Sequence, residues 1–130
     1  MKAVIDTNVL VSALLNANGI PAGILALVLN GKVKIFYDNR ILFEYADVLS
    51  REKFCFDPEP VHGLIGYFKS AGEYVNSDRV RMRFDDEADK KFYEVYKSGP
   101  AQYLITGNAR HFPREEGIVT PREFMEIFAG

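Results

Sequence analysis

The sequence predicts an α/β protein, a three-layer α/β/α sandwich around a central, mainly parallel sheet. Two observations predict this fold class. Short apolar, β-branched runs recur along the chain, and most are bounded by Gly, Asn, Asp or Pro. Between them lie longer segments whose apolar residues recur at intervals of three and four, as in amphipathic helices. Strands that alternate with helices of this length form βαβ units, whose parallel sheet is covered on both faces.

Four runs are predicted as strands, and each is only a few residues long, as buried strands are. In order along the chain they are Ala3–Ile5, Val33–Tyr37, Tyr103–Thr106 and Gly117–Thr120.

Five segments between and after these runs have helical spacing or helix-boundary residues. In the first of these helices, Pro21 is well placed in the first turn, and Asn30-Gly31 is well placed to end the helix. In the last, Thr120 is placed to cap and Glu123 to bond back, as in a capping box. The predicted helices cover Pro21–Leu29, Asn39–Ser50, Asp57–Ala71, Asp86–Lys97 and the residues from Thr120 onward.

Composition is that of one globular domain over residues 1–130. The chain is 48% hydrophobic and shows no repeat, low-complexity tract or Gly/Ser-rich linker. Its single Cys55 allows no intramolecular disulfide and suits a reducing cytoplasm. The net charge of −2 argues against a protein that coats nucleic acid through a basic face, but it leaves the substrate of an enzyme open.

Neither a signal peptide nor a membrane span is expected. A carboxylate at position 6 interrupts the apolar start of the chain. The longest apolar stretch, Ile24–Leu29, is far shorter than the ~20 residues of a transmembrane helix. The sequence therefore predicts a cytoplasmic protein with no membrane partner.

Asp6 follows the first predicted strand directly. In parallel sheets, ligands bind beyond the carboxyl ends of the strands, so a carboxylate at this position is a candidate site residue. The alternative is structural: Asp6-Thr7-Asn8 would cap the next helix, since Asp and Asn are favoured N-caps. The functional interpretation gains weight only if other carboxylates converge on the same place.

Glu44 is the second candidate. It lies on or beside the apolar stripe of its predicted helix, three residues after Ile41 and four before Val48. A charge on an apolar face is costly unless it is paired or bound to a metal. The alternative is a residue at the rim of the stripe whose carboxylate reaches water.

Asp89 is the third candidate, in the acidic run of residues 85–89. The positive end of a helix dipole explains most of this run. Asp89 differs because Phe92 and Tyr93 follow it at three and four residues, which places it on the buried edge of the helix. Mg²⁺ prefers oxygen ligands, which three acids from distant segments would supply.

Thr106-Gly107-Asn108 follows the third predicted strand, so it is expected at the same edge as Asp6. Gly107 allows close approach of the backbone, and Asn108 offers a neutral oxygen beside the acids. The alternative is an ordinary strand-to-loop turn.

Taken together, these fragments resemble the PIN-domain family of nucleases, and in particular its branch of toxin components of toxin–antitoxin systems (VapC-like). The resemblance covers nearly the whole chain. Each fragment alone is a weak signal, whereas five in the right order are a strong one. The fragments are Ala3–Ser12, Glu44–Leu49, Asp86–Tyr93, Tyr103–Asn108 and Ile118–Phe124.

The resemblance implies a metal-dependent endoribonuclease that hydrolyses phosphodiester bonds of single-stranded RNA, with Mg²⁺ as cofactor or Mn²⁺ in its place. The family's metal-binding acids fall on Asp6, Glu44 and Asp89. Asp6 and Asp89 would be direct ligands, and Glu44 would bind a water or a second ion. The fourth acidic position of the family is Asn108 here, which removes one charge and favours a single firmly held metal.

Supporting roles are expected for neighbouring side chains. Thr106 and Asn108 would orient the ligands, and Asn8 would contact substrate or a metal-bound water. Arg110 is the better phosphate contact on charge grounds, whereas a structural hydrogen bond is the first interpretation of His111. Lys53, Lys90 and Lys91 would form part of a basic rim that guides RNA, and the alternative is an ordinary solvated helix face.

Two other functions remain open from the sequence. One is a catalytically weak PIN-like module that binds RNA or protein, which Asn108 makes plausible. The other is a phosphatase that uses a strand-end Asp, although Asn8 stands where such an enzyme would have a second Asp. An antitoxin protein is an expected partner, and the apolar helices Ile41–Leu49 and Val61–Phe68 would serve either a homodimer or the core.

Overall fold

The computed structural model describes residues 1–130 and contains one sheet of five strands. The strand order is β3-β2-β1-β4-β5, and every neighbouring pair is parallel, as the sequence predicts. The strands are β1 (Lys2–Ile5), β2 (Lys34–Tyr37), β3 (Glu73–Tyr74), β4 (Tyr103–Ile105) and β5 (Ile118–Val119).

Six helices pack on this sheet and complete the α/β/α fold. In one group α2 packs on α1 and α6, and in the other α3 packs on α4 and α5. The helices are α1 (Thr7–Leu15), α2 (Ile20–Leu29), α3 (Asn39–Leu49), α4 (Pro58–Ala71), α5 (Lys90–Ser98) and α6 (Pro121–Ala129). Short 3₁₀ turns lie at Glu52–Phe54, Glu87–Asp89 and Ala109–His111.

The predicted boundaries of α2, α3 and α6 agree with the local chemistry. The side chain of Asp38 caps α3 by accepting a hydrogen bond of 3.1 Å from the N–H of Ile41. The capping box of α6 is confirmed, with Thr120 and Glu123 each accepting from the other's N–H. Beyond α2, Gly31 has φ 76°, a left-handed conformation that glycine adopts without strain.

Three elements differ from the sequence-based expectation. α1 is not among the five predicted helices, and only the capping interpretation of Asp6 implies a helix there. β3 is a two-residue edge strand of exposed residues, so it has none of the apolar character that marks the other strands. The helix predicted from Asp86 instead starts at Lys90, because the Asp86 side chain accepts a hydrogen bond from Ala88 and caps a 3₁₀ turn first.

The core fixes α3 against the carboxyl end of β1. Tyr45 of α3 is fully buried, and its hydroxyl donates a hydrogen bond to the carbonyl of Ile5. Because Ile5 precedes Asp6 and Tyr45 follows Glu44, this bond brings two of the predicted acids to the same end of the sheet. Most apolar residues of α3 and α4 are buried or packed against the chain's own core, which is one of their two predicted roles, but Phe43 of α3 is 75% exposed.

No single helix is long and apolar enough to cross a membrane. The pair α1 and α2 meets the length and composition only when taken together, and it is bent by 104°.

Candidate active site

Asp6 lies where β1 ends, and only 5% of the residue is exposed. It occupies the N-cap position of α1, but its carboxylate forms no capping hydrogen bond. Instead, Oδ2 accepts a hydrogen bond of 2.8 Å from the hydroxyl of buried Thr106. The parallel pairing of Ile5 with Ile105 places these two strand-end residues side by side. The capping interpretation accounts for the position of Asp6, and the backbone of Asn8 lowers the pKa of its carboxyl, but the close hydrogen bond of the carboxylate is to Thr106.

The loop after β4 is tied to the first turn of α1. Asn108 donates its backbone N–H to the Thr106 hydroxyl at 3.0 Å, and Gly107 donates its N–H to Oδ1 of Asn8 at 3.2 Å. These bonds bring Asn8, Thr106 and the backbone of Asn108 together around Asp6, as the sequence predicts. Asn108 is exposed, and its side chain makes no hydrogen bond.

Glu44 is half-buried on α3, and both of its carboxylate oxygens have partners. Oε2 accepts a hydrogen bond from the hydroxyl of Thr7, and Oε1 lies 2.6 Å from Nζ of Lys91. Lys91 also makes a cation–π contact, because its ammonium lies 5.0 Å from the centroid of the Phe92 ring. The charge on the apolar stripe is thus tolerated through an ion pair. The sequence suggests only a rim position for Lys91.

Asp89 ends the 3₁₀ turn before α5, and 17% of its side chain is exposed. Its Oδ2 lies 3.7 Å from Nδ1 of His111, a contact that becomes an ion pair when the imidazole is protonated. Burial raises the pKa of Asp89, as do the charges of Asp86 and Glu44, while His111 and Lys91 oppose the rise.

Electrostatics show that the three acids act on one another. Burial raises the pKa of Asp6 to about 6; the hydrogen bond from Thr106 opposes this rise, and the charges of Asp89 and Glu44 add to it. A carboxylate is thus held in a poorly solvated place beside two others. At neutral pH such a cluster favours a bound cation, which would neutralise the repulsion.

The oxygen donors suit a hydrated hard cation better than a closed cage. No group of three or more His, Cys, Asp or Glu side chains is close enough to enclose a metal ion. Mg²⁺ needs only one or two carboxylates and keeps several waters. Asp6 and Asp89, which interact electrostatically, are two such carboxylates, and Glu44 is the third acid that acts on both.

Arg110 is not brought to the acids by any contact. It is exposed, and it forms neither a hydrogen bond nor an ion pair. The groove that it lines with Phe112 and Arg114 contains none of the three acids. Its role as a phosphate contact stays a prediction.

Sequence reasoning did not anticipate a second charged cluster at the same sheet edge. Arg40 lies 2.6 Å from Oδ2 of Asp38 and 2.7 Å from Oε1 of Glu94, and it also donates to Ser77. Asp38 and Glu94 are both buried. Asp38 follows β2 just as Asp6 follows β1, so the same strand-end argument would have found it. Because one guanidinium bridges both buried carboxylates, we interpret this cluster as structural.

Comparison with known proteins adds two findings. The model of a family described as PIN domain matches residues 2–110, a range that contains every residue of the acidic site. An uncharacterised protein of Methanocaldococcus jannaschii is 32% identical, over 98% of this chain and 92% of its own length.

Proposed function

Because the chain belongs to the PIN-domain family of nucleases, we propose that it is a metal-dependent endoribonuclease that hydrolyses phosphodiester bonds of single-stranded RNA. One observation carries the proposal. Buried Asp6 has its pKa raised to about 6, partly by Asp89 and Glu44, so three acids from separate segments converge electrostatically at one sheet edge. A site for a divalent cation is the simplest chemical use of such an arrangement.

Asp6 and Asp89 are the proposed direct ligands. Glu44 would hold a coordinated water or a second ion, and Asn108 would extend the shell. Mg²⁺, when bound, lowers the pKa of a coordinated water and neutralises charge on the scissile phosphate. Mn²⁺ would serve in its place.

The chain's own residues fix this geometry. The Thr106 hydroxyl orients the carboxylate of Asp6, and the hydroxyl of Thr7 with the ammonium of Lys91 orients that of Glu44. Asn8 is held by the N–H of Gly107, which leaves its amide nitrogen free to donate to substrate. The carboxylates are therefore positioned before any substrate arrives, as a preorganised site requires.

The test is cleavage of a single-stranded RNA in Mg²⁺ or Mn²⁺ by wild type, Asp6→Asn and Asp89→Asn. Asp47→Asn is the matched control, because Asp47 lies on the same helix as Glu44 but is exposed and pairs with Arg51. The two ligand variants should lose more than the roughly 10–100-fold that loss of an outer-shell partner costs. Equal cleavage by all four proteins would refute the assignment, and turnover of a small phosphomonoester instead would indicate a phosphatase.

A second candidate is a catalytically weak PIN-like module that binds RNA or protein. Two observations favour it: Asn108 stands at the family's fourth acidic position, and both oxygens of Glu44 are already engaged. RNA binding by wild type without cleavage in either metal would select this candidate.

We also propose that the protein is the toxin of a toxin–antitoxin pair in the cytoplasm, on the resemblance of its fragments to that branch. Induced expression of wild type should then arrest growth, whereas Asp6→Asn should not. A small protein encoded beside it should restore growth when co-expressed. A homodimer is a further prediction, and it would have to use a surface other than the buried faces of α3 and α4.

A further inference from the structure

Three arginines alternate along an irregular segment that leads to Asp89. This arginine segment, residues 75–84, joins β3 to the 3₁₀ turn and has no helix or strand of its own. Arg79, Arg81 and Arg83 are all exposed, and Asp78 is the segment's only acid. The segment therefore carries a local excess of positive charge directly before the acidic run of residues 85–89, in a chain whose net charge is −2.

The start of the arginine segment is fixed at the carboxyl edge of the sheet. Val75 donates its N–H to the carbonyl of Tyr37 at 2.7 Å. The Ser77 hydroxyl donates to Oδ2 of Asp38 at 3.2 Å. The segment therefore begins at the end of β3, two strands from β1, and Ser77 holds it against the end of β2, which is the neighbour of β1.

The middle and end of the segment are fixed against α5. Val80 donates its N–H to Oε2 of buried Glu94 at 2.8 Å. The buried ring of Phe84 packs on those of Tyr93 and Phe112, with centroids 5.7 and 5.8 Å apart. These contacts fix the segment at its start, middle and end as it runs from β3 towards the turn that carries Asp89.

The arginine charges on this segment are available. Arg81 and Arg83 form no hydrogen bond or ion pair, and Arg79 donates only to Ser77, at 3.3 and 3.4 Å. By contrast, Arg40 and Lys91 nearer the acids are both engaged by carboxylates. A planar guanidinium donates in a fork that matches phosphate oxygens, so free arginines in a row suit a phosphodiester backbone.

We propose that Arg79, Arg81 and Arg83 bind phosphates of the single-stranded RNA and lead the strand to Asp6 and Asp89. This inference rests on the proposed function, because it takes RNA as the substrate. The contacts are to the backbone, so they supply affinity and direction without reading base sequence. They also supply the positive surface that the acidic site and the chain's overall charge lack.

The parent protein for this test is Asp6→Asn, kept in chelator so that no strand is cut. Its RNA binding is compared with that of three variants, each of which carries three further substitutions. The first replaces Arg79, Arg81 and Arg83 by Gln, and the second replaces them by Lys. The third is a matched control, with Lys2, Lys32 and Lys34 replaced by Gln. These lysines are also exposed but lie at the amino ends of β1 and β2, and their removal changes the net charge equally.

Affinity for a labelled single-stranded oligoribonucleotide is measured from 50 to 200 mM salt. Each lost phosphate contact lowers the slope of log affinity against log salt by about 0.7, so the arginine-to-Gln variant should lose about 2 from the slope. Between 50 and 200 mM salt, the Asp6→Asn parent should therefore lose affinity by a factor about twenty times larger than the arginine-to-Gln variant does. The Lys variant and the lysine control should keep the parent slope.

An unchanged slope in the arginine-to-Gln variant would overturn this inference while leaving the proposed nuclease intact. An equal loss in the lysine control would also overturn it, because the effect would then follow net charge alone. If the parent bound no RNA and wild type cleaved none, both the inference and the proposed function would fail. Circular dichroism of each variant confirms folding, which these exposed positions should not alter.

Discussion

Nζ of Lys91 lies 2.6 Å from Oε1 of Glu44, so a fixed cation faces one of the three acids of the site. Only 13% of the Lys91 side chain is exposed, and the pair joins α3 to α5. Within the proposed site this ammonium partly neutralises the acidic cluster, and it competes with a metal ion for Glu44.

Replacing Lys91 by Gln should therefore tighten Mg²⁺ binding. Removal of one positive charge a few ångströms from the ion should increase affinity about three- to tenfold. Isothermal titration calorimetry of the variant measures this directly. Lys90→Gln is the matched control, because Lys90 pairs with Glu87 at 3.6 Å rather than with Glu44. Weaker Mg²⁺ binding by Lys91→Gln than by the control would show that the ammonium helps to hold the ligands.

A second prediction follows from the raised pKa of Asp6, about 6 against 3.8 for an ordinary Asp. A raised pKa means that the folded protein binds the proton more tightly than the unfolded chain. The metal-free protein should thus lose stability as pH rises from 4 through 6, by up to roughly 3 kcal/mol. Asp6→Asn removes this loss, and it should be the more stable protein at pH 7.5 by roughly 1–3 kcal/mol.

Urea denaturation at pH 4 and pH 7.5 in chelator checks this prediction. The advantage of Asp6→Asn should vanish at pH 4, where the wild-type carboxyl is protonated and neutral. Addition of Mg²⁺ at pH 7.5 should stabilise wild type but not the variant. A variant less stable than wild type at both pH values would show that the carboxylate is compensated within the fold.

The fold can be predicted from the sequence because the secondary structure that the local sequence favours is also the one that buries its apolar residues. The apolar runs that it reads as strands are buried in the sheet, and strand ends in a parallel sheet share one edge. That is why the sequence predicts Asp6 and Thr106, 100 residues apart, at the same edge, where a hydrogen bond joins them. The two-residue β3 escapes because neither of its exposed residues carries a packing signal.

The sequence does not predict which side chains on different helices pair with one another. Glu44 lies on an apolar stripe, and spacing alone does not decide whether it pairs, binds metal or reaches water. The answer depends on how closely α5 approaches α3, which brings Lys91 to it. Glu94 is a similar case, because its position between Tyr93 and Val95 does not predict an ion pair with Arg40, 54 residues away.

The third prediction concerns this buried ion cluster. Arg40→Met leaves the buried carboxylates of Asp38 and Glu94 without their cation, which should cost roughly 3 kcal/mol of unfolding free energy. Arg51→Met is the control, since its exposed pair with Asp47 is worth about 1 kcal/mol at most. Urea denaturation at pH 7 compares the two. Equal losses would mean that water replaces the Arg40 guanidinium without penalty.

The last prediction concerns Asn108, the neutral residue at the family's fourth acidic position. Its N–H already bonds to Thr106, so the backbone needs no rearrangement to present a carboxylate here. Asn108→Asp should tighten Mg²⁺ or Mn²⁺ binding about tenfold, because affinity for hard cations rises with the charge of the ligand set. It should also raise RNA cleavage at limiting metal if charge alone limits the site.

Asn18→Asp serves as the control for Asn108→Asp, because it adds the same charge at an exposed position beyond the far end of α1. Calorimetry with each metal separates the two variants. If Asn108→Asp binds metal no better than Asn18→Asp, then position 108 lies outside the ligand shell. In that case Asp6, Asp89 and Glu44 carry the metal site alone.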